Sequence, residues 1–282
     1  MRKAAAIACF LALAPALALA GSPSEAPSAA RFNYTAYMGG VKIGYAVMDV
    51  SVGAGRYAAT LSMETGGLAG LLFDWRHGSS AYGAERPDPA LPFAADAYLN
   101  ASIWEGENRY VEVAYADGVA EIGKANPHPI QDERRQPVSS ELRRGALDPL
   151  SAIVAVGRTI EATGKCDADF GVFDGRRLYR FVVADTGEAE LERNDYAPFG
   201  GDARRCEFEF KRVAGFKKKP KGPPTKGRAY YRRAREGAPI MPVQVIADSK
   251  YGATILHLKA TDLIDPELAE LAARKLDVTK LD

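Results

Sequence analysis

Few side chains in this chain are placed to do chemistry, and their spacing mostly points away from a reaction. Cys166 and Cys206 are not part of a C-x-x-C pair and have no histidine close by in sequence. They match neither a redox motif nor a zinc site, and read as a structural disulfide. Bridging them closes a loop of about 40 residues, which stabilises the fold by about 4 kcal/mol in the chain-entropy description. His77, His128 and His257 lie far apart and fit no metal-ligand spacing, so no metal is expected. Ser151 has neither a Gly-x-Ser-x-Gly elbow nor a neighbouring histidine, and reads as a serine in the first turn of a helix. No phosphate-binding glycine loop or dinucleotide fingerprint is present, and no cofactor is expected. The adjacent Arg176 and Arg177 are either an anion- or partner-binding pair or two solvated arginines beside a turn. Asp and Glu are too numerous to single out a catalytic pair.

Those residues need elements to hold them, and the elements read as β. Asp174-Gly175 separates Phe170–Phe173 from Leu178–Val183, which predicts a tight hairpin with a type I′ turn. From Cys206 the residues Cys206, Phe208 and Phe210 share one face, and Glu207, Glu209 and Lys211 the other. Upstream, Phe32–Tyr37, Val41–Val52 and Tyr57–Thr65 form a meander punctuated by glycine turns. Residues 94–104, 108–115 and 119–122 continue it, the last after an Asp117-Gly118 turn. Downstream, residues 228–234, 241–248 and 254–260 read as three further strands. The apolar cluster Leu68, Leu71, Leu72, Phe73 and Trp75 is either a short helix or a kinked strand. It fills the core or, together with Trp104, lines an apolar groove, and the core role is the simpler expectation. Residues 124–145 read as a loop, long enough to be functional or mobile.

Two helices are predicted. Asp148-Pro149 supplies an N-cap followed by proline at the first helical position, and Leu150, Ile153, Val154 and Gly157 then trace a face to pack on the sheet. Pro266 to Leu276 is a short amphipathic helix at the end of the chain. Lys217, Lys218, Lys219 and Lys221 belong to a basic, proline-rich loop that is either a solvated hairpin end or a peripheral contact with anionic lipid head groups.

Met1-Arg2-Lys3, the apolar run to Ala20 and the Ala18-Leu19-Ala20 ending predict a signal peptide over 1–20, cleaved after Ala20. Cleavage removes Cys9, and export supplies the oxidising compartment a disulfide requires; the style of the signal suggests the periplasm. Residues 21–31 then form a flexible leader, 32–264 one β domain (or two lobes divided within 124–148), and 265–282 a helix and tail. The net charge of +1 over 282 residues argues against a general nucleic-acid binder. No later apolar run approaches spanning length, so the mature chain is not expected to be an integral membrane protein.

The motifs Tyr37-x-Gly39-Gly40-x-x-x-Gly44, Asp148-Pro149-Leu150-Ser151-Ala152, Val172-Phe173-Asp174-Gly175-Arg176-Arg177-x-Tyr179 and Cys206 to Gly215 together resemble the exported bacterial family DUF3108. The resemblance spans nearly the whole mature chain and implies no activity and no catalytic residues. It implies a periplasmic, antiparallel β-rich protein, similar in kind to curved half-barrel or β-spiral sheets. The fold expected is therefore all-β: one large curved antiparallel sheet with a packed internal helix and a short C-terminal helix. Three functions fit it. The first is a non-enzymatic envelope protein holding a lipid acyl chain, or a lipoprotein or protein segment, in the concave face of the sheet. The second is an envelope hydrolase or polysaccharide-modifying enzyme with a site assembled from separate strands, and the third is a ligand-free scaffold.

Overall fold

A computed structural model describes residues 27–72, 74–104, 106–131, 135–217, 225–249 and 252–276. Among them thirteen strands form a single antiparallel sheet. They are β1 (Ser28–Met38), β2 (Val41–Gly53), β3 (Arg56–Thr65), β4 (Trp75–Glu85), β5 (Phe93–Trp104), β6 (Glu107–Ala116), β7 (Val119–Asn126), β8 (Ala168–Phe173), β9 (Leu178–Leu191), β10 (Gly201–Ala214), β11 (Thr225–Arg233), β12 (Ile240–Ser249) and β13 (Gly252–Leu263). The spatial order runs from β7 back to β1, across to β13 and back to β8, so strands on both sides of the 124–148 segment belong to the same sheet. Successive strands join as hairpins except β7 and β8. That step passes through α2 (Ser140–Arg143) and α3 (Pro149–Thr163). The remaining helices are α1 (Leu68–Leu72), between β3 and β4, and α4 (Pro266–Lys275).

Turn chemistry sets the hairpins. At Asp117-Gly118 both residues have positive φ, 49° and 73°, the type I′ geometry that matches the twist of the flanking strands. The Asp174-Gly175 hairpin is different and corrects the type I′ expectation. Only Gly175 has positive φ there, at 85°. The Asp174 carboxylate accepts the N–H groups of Arg176 (2.9 Å) and Arg177 (2.7 Å) and holds a wider loop. Gly175 is required for a second reason, since a Cβ there would lie 2.6 Å from a Val111 methyl.

The strand number is odd and every pairing is antiparallel, so the edge strands β7 and β8 run in the same direction. They cannot extend the antiparallel ladder to each other, and the seam is stitched by other means. The Gly145 N–H donates to Gly118 O (2.8 Å). The Leu147 N–H donates to Gly171 O (2.8 Å), and the Phe173 N–H donates to Leu147 O (2.8 Å). The Arg176 guanidinium donates to the carbonyls of Tyr110 (3.2 Å), Asn126 (3.1 Å) and Pro127 (2.6 Å). The result is a sheet almost closed into a barrel.

Helix α3 forms where its caps predict. The Asp148 side chain accepts the N–H groups of Leu150 and Ser151 (both 2.9 Å), Pro149 opens the first turn, and Gly164 ends the helix in the left-handed region. Let the lower end of the barrel be the one where β1 begins. Antiparallel alternation then puts Tyr57, Glu85, Phe93 and Ile240 at that end too, and α3 lies against these residues. Ser151 meets the Tyr57 hydroxyl at 2.7 Å, Arg158 pairs with Glu85 at 3.0 Å, and the Thr159 hydroxyl donates to Pro89 O at 3.0 Å. At Gly157 the backbone of β12 comes so close that a Cβ would fall 2.1 Å from Ile240 O. The helix therefore plugs the lower half of the barrel, with Leu150, Ala152, Val154, Ala155 and Val156 all buried.

Helix α4 covers the outside of β1–β4, burying Ala269 and Ala273. It is held by Arg56–Glu270 (2.9 Å) and by Arg274 over the Tyr82 ring (4.3 Å). Among the described residues no helix is long and apolar enough to cross a membrane.

Candidate functional site

The pleat sends alternate side chains of every strand to the inside, and their burial changes with height in the barrel. In the lower half, Phe32, Val50, Tyr57, Ala81, Met241 and Leu258 are all at most 1% exposed, because α3 and its neighbours fill the space between them. In the upper half the same faces continue as Leu61 and Met63 of β3, Phe208 and Phe210 of β10, Val245 of β12 and Leu256 of β13, and each of these is only partly buried. No helix reaches them. The upper half is thus a cup with an apolar wall, open at the end away from α3.

Aromatic packing builds one side of this cup. Phe181 stacks on Phe210 with centroids 4.9 Å apart, while Tyr179 and Phe208 meet Phe210 edge-on at 5.2 and 5.6 Å. The facing strands β4 and β5 are more polar. Their register pairs His77 with Ser102 and Ser79 with Asn100, a short polar stripe on the inner face. A His77 ring nitrogen lies 3.2 Å from Ser79 Oγ, and Asn100 Nδ2 donates to the Tyr98 hydroxyl at 2.9 Å. Burial lowers the His77 pKa to about 4, so the ring is neutral at neutral pH and brings no charge to the stripe.

The residues singled out from sequence are distributed as follows. Trp75 and Trp104 are register partners on the inner face at the mouth, with Trp104 46% exposed. Leu68, Leu71 and Leu72 do not fill the core, which corrects the simpler expectation: they are 64%, 81% and 81% exposed on α1, just above the mouth. The five-residue helix lies outside the ladder, and only Ala69 in it is buried. Phe73 lies outside the described residues.

Cys166 and Cys206 form the disulfide, with Cα atoms 6.1 Å apart, joining the approach to β8 with β10 across β9. Arg176 is engaged by three backbone carbonyls at the seam, and Arg177 pairs with Asp174 at 2.7 Å and lies over the Phe216 ring. Both guanidinium groups thus meet partners within the chain. Lys217 is exposed at the upper end of β10, while Lys218, Lys219, Lys221 and residues 1–20 lie outside the described residues.

Sequence reading missed the polar stripe and the convergence of Leu61, Met63, Phe208 and Phe210. Alternation assigns each residue to a face but says nothing of its height in the barrel. It also missed a buried network at the start of α3. The Tyr57 hydroxyl donates to Ser151 Oγ, and the Ser151 hydroxyl donates to the Asp148 carboxylate. Burial raises the Asp148 pKa to about 6, against the opposing pull of the Ser151 hydroxyl and of N–H donors in the first helical turn. Ser151 and Asp148 are fully buried, so this contact anchors the helix and offers a substrate no approach. Among the described residues no group of three or more His, Cys, Asp or Glu is arranged to hold a metal ion.

Comparison with known proteins agrees with this architecture. The family model described as "Protein of unknown function (DUF3108)" matches residues 33–255. No curated protein matches the chain. A crystal structure of a β-barrel-like protein of domain of unknown function DUF1849 from Brucella abortus is similar, with a TM-score of 0.51 and 13% identity. The match covers 85% of this chain and 98% of that one. At that identity the likeness concerns the fold.

Proposed function

The chain belongs to the DUF3108 family of proteins of unknown function, and on that premise we propose that it is a non-enzymatic, exported envelope protein that takes an acyl chain into its upper cup. The acyl chain belongs to a lipid or to a lipoprotein. One observation carries this reading: on β3, β10, β12 and β13 the inner face is buried below and only partly buried above, where Leu61, Met63, Phe208, Phe210, Val245 and Leu256 converge. An acyl chain seated there removes apolar surface from water at about 25 cal/mol per Å². The neutral stripe of His77, Ser79, Asn100 and Ser102 suits an uncharged polar group near the head of the chain. Export to the periplasm is supported by the apolar, Ala-x-Ala-ending start of the sequence and by the disulfide, which persists in an oxidising compartment.

The test is native mass spectrometry with lipid extraction on protein purified from the periplasm, paired with displacement of a fluorescent fatty acid. The expected result is an acyl lipid bound to the wild type and lost from Leu256→Trp, which fills the cup without touching α3. An apo mass together with no fluorescent fatty-acid binding overturns the proposal. The hydrolase alternative has one contact to draw on, His77 with Ser79 at 3.2 Å, but Ser79 is 2% exposed, and Ser151 meets only buried partners.

A further inference from the structure

We infer that the upper rim of the barrel docks end-on against an anionic lipid bilayer. This rests on the reading of the cup as an acyl-chain site, and it names the surface from which the chain arrives. Strand polarity brings the β1–β2 turn, α1, the β5–β6 turn and the segment after β7 to the same end. That end carries Val41, Tyr45, Leu68, Leu71, Leu72 and Ile130, which are 38–81% exposed. These side chains belong to connections spread around the mouth, from β2 through β4 to β7. A flat surface meets all of them at once, whereas a single peptide or helix lying in a groove would meet only one sector.

Charge selects the kind of surface. Lys42 and Lys217 are exposed at the same end, as is Lys226, which pairs with Glu209 at 3.6 Å, and the Lys42 ammonium lies 5.2 Å from the Tyr45 ring centroid, beside the apolar side chains. Two acids of that rim are offset by arginines: Asp74 pairs with Arg76 and Glu107 with Arg109. Leucines that enter the interface, flanked by lysines that stay among head groups, are the pattern of reversible adsorption to anionic membranes. The opposite end is built differently, its exposed Leu263, Leu268 and Leu271 lying at the end of β13 and along α4 on the outer wall and not around an opening. There the plug helix is tied into polar loops through Arg158, Glu161 and Arg233. End-on docking also faces the cup's mouth toward the bilayer, so a chain could pass between them without crossing water.

The experiment is flotation of the full chain, lacking its signal, with phosphatidylglycerol–phosphatidylcholine vesicles and with pure phosphatidylcholine vesicles. The wild type is expected to float with the first and weakly or not at all with the second. Leu68→Ser/Leu71→Ser/Leu72→Ser should weaken flotation at least tenfold while leaving the circular dichroism unchanged, since these side chains are exposed. Lys42→Glu and Lys217→Glu should each weaken it by about fivefold or more. Failure of the wild type to float, or equal flotation with both compositions, overturns the inference. A wild type that is dimeric by light scattering, with a monomeric triple-serine variant, overturns it as well, because the rim would then be an interface between copies. None of these results affects lipid retention in native mass spectrometry, so the docking inference and the cup can fail separately. The triple-serine variant should still carry its lipid, and Leu256→Trp should still float.

Discussion

The two halves of the barrel use the same thirteen strands in opposite ways. Below, the inner face is filled: α3 lies across the opening, Asp148 and Tyr57 converge on Ser151, and Arg158 joins Glu85. Above, the walls formed by β3, β10, β12 and β13 stay apolar and only partly covered, and the apolar side chains of α1 stand in the open. The contrast teaches that sheet curvature by itself does not make a filled core. A large curled sheet has to import an element to fill its interior, and here the β7–β8 crossover fills only one half. Stability resides in the lower half, and the upper half is where we propose that binding occurs.

The largest expected effect comes from breaking the lower half at its covalent link. Cys166→Ala/Cys206→Ala should lower the unfolding free energy by about 4 kcal/mol, given the 40-residue separation, as read by urea denaturation of the oxidised wild type against the variant. Lipid retention by the folded fraction should be unchanged; its loss would show that the two halves are not separable.

The next effect is pH-dependent. The folded-state pKa of Asp148, about 6, lies above its ordinary value of 3.8, so folding favours the protonated form. Its contribution is full below about pH 4, falls as pH rises toward 6 and is flat above that. Two pH units at about 1.4 kcal/mol each amount to about 3 kcal/mol. Wild-type stability relative to Asp148→Asn should therefore drop by about that much between pH 4 and pH 7. A pH-independent difference would mean that the carboxylate is better solvated than its burial implies.

A matched pair of residues sharpens the comparison most directly, and the quantity to read is the difference between its two members. Met241 is fully buried in the lower half, and Met63 is half-buried in the upper. Met241→Ala should cost about 2–5 kcal/mol, with Met63→Ala about 1 kcal/mol or less. Equal losses on thermal unfolding would mean that the upper half is packed as tightly as the lower.

Much of the frame was legible because its signals are local. Asp117-Gly118 demands a turn, Asp148-Pro149 starts a helix, and alternation around Cys206 assigns faces. Legibility failed where the local signal was weak. β4 was legible only as one option, a kinked strand, because His77, Gly78, Ser79 and Ser80 interrupt its apolar alternation; of these, His77 and Ser79 line the inner face. The far half of β9, beyond Asp185, contains Gly187 and acids and was likewise unread; it is held by pairing with β10.

By itself the sequence determined an all-β chain with a capped internal helix, a cysteine pair and strands of known facing. Each of these depends on residues within a few positions of one another, or on the absence of a third cysteine downstream of Cys9. Only the tertiary structure decided that Leu61, Phe210 and Leu256, nearly two hundred residues apart, share the inner face of one sheet. It likewise decided that α3 stops short of them, and that α1 projects outward instead of inward. Those outcomes depend on register, strand parity and the path of one crossover, which are set by ladders between distant strands and leave no mark on any short stretch of sequence.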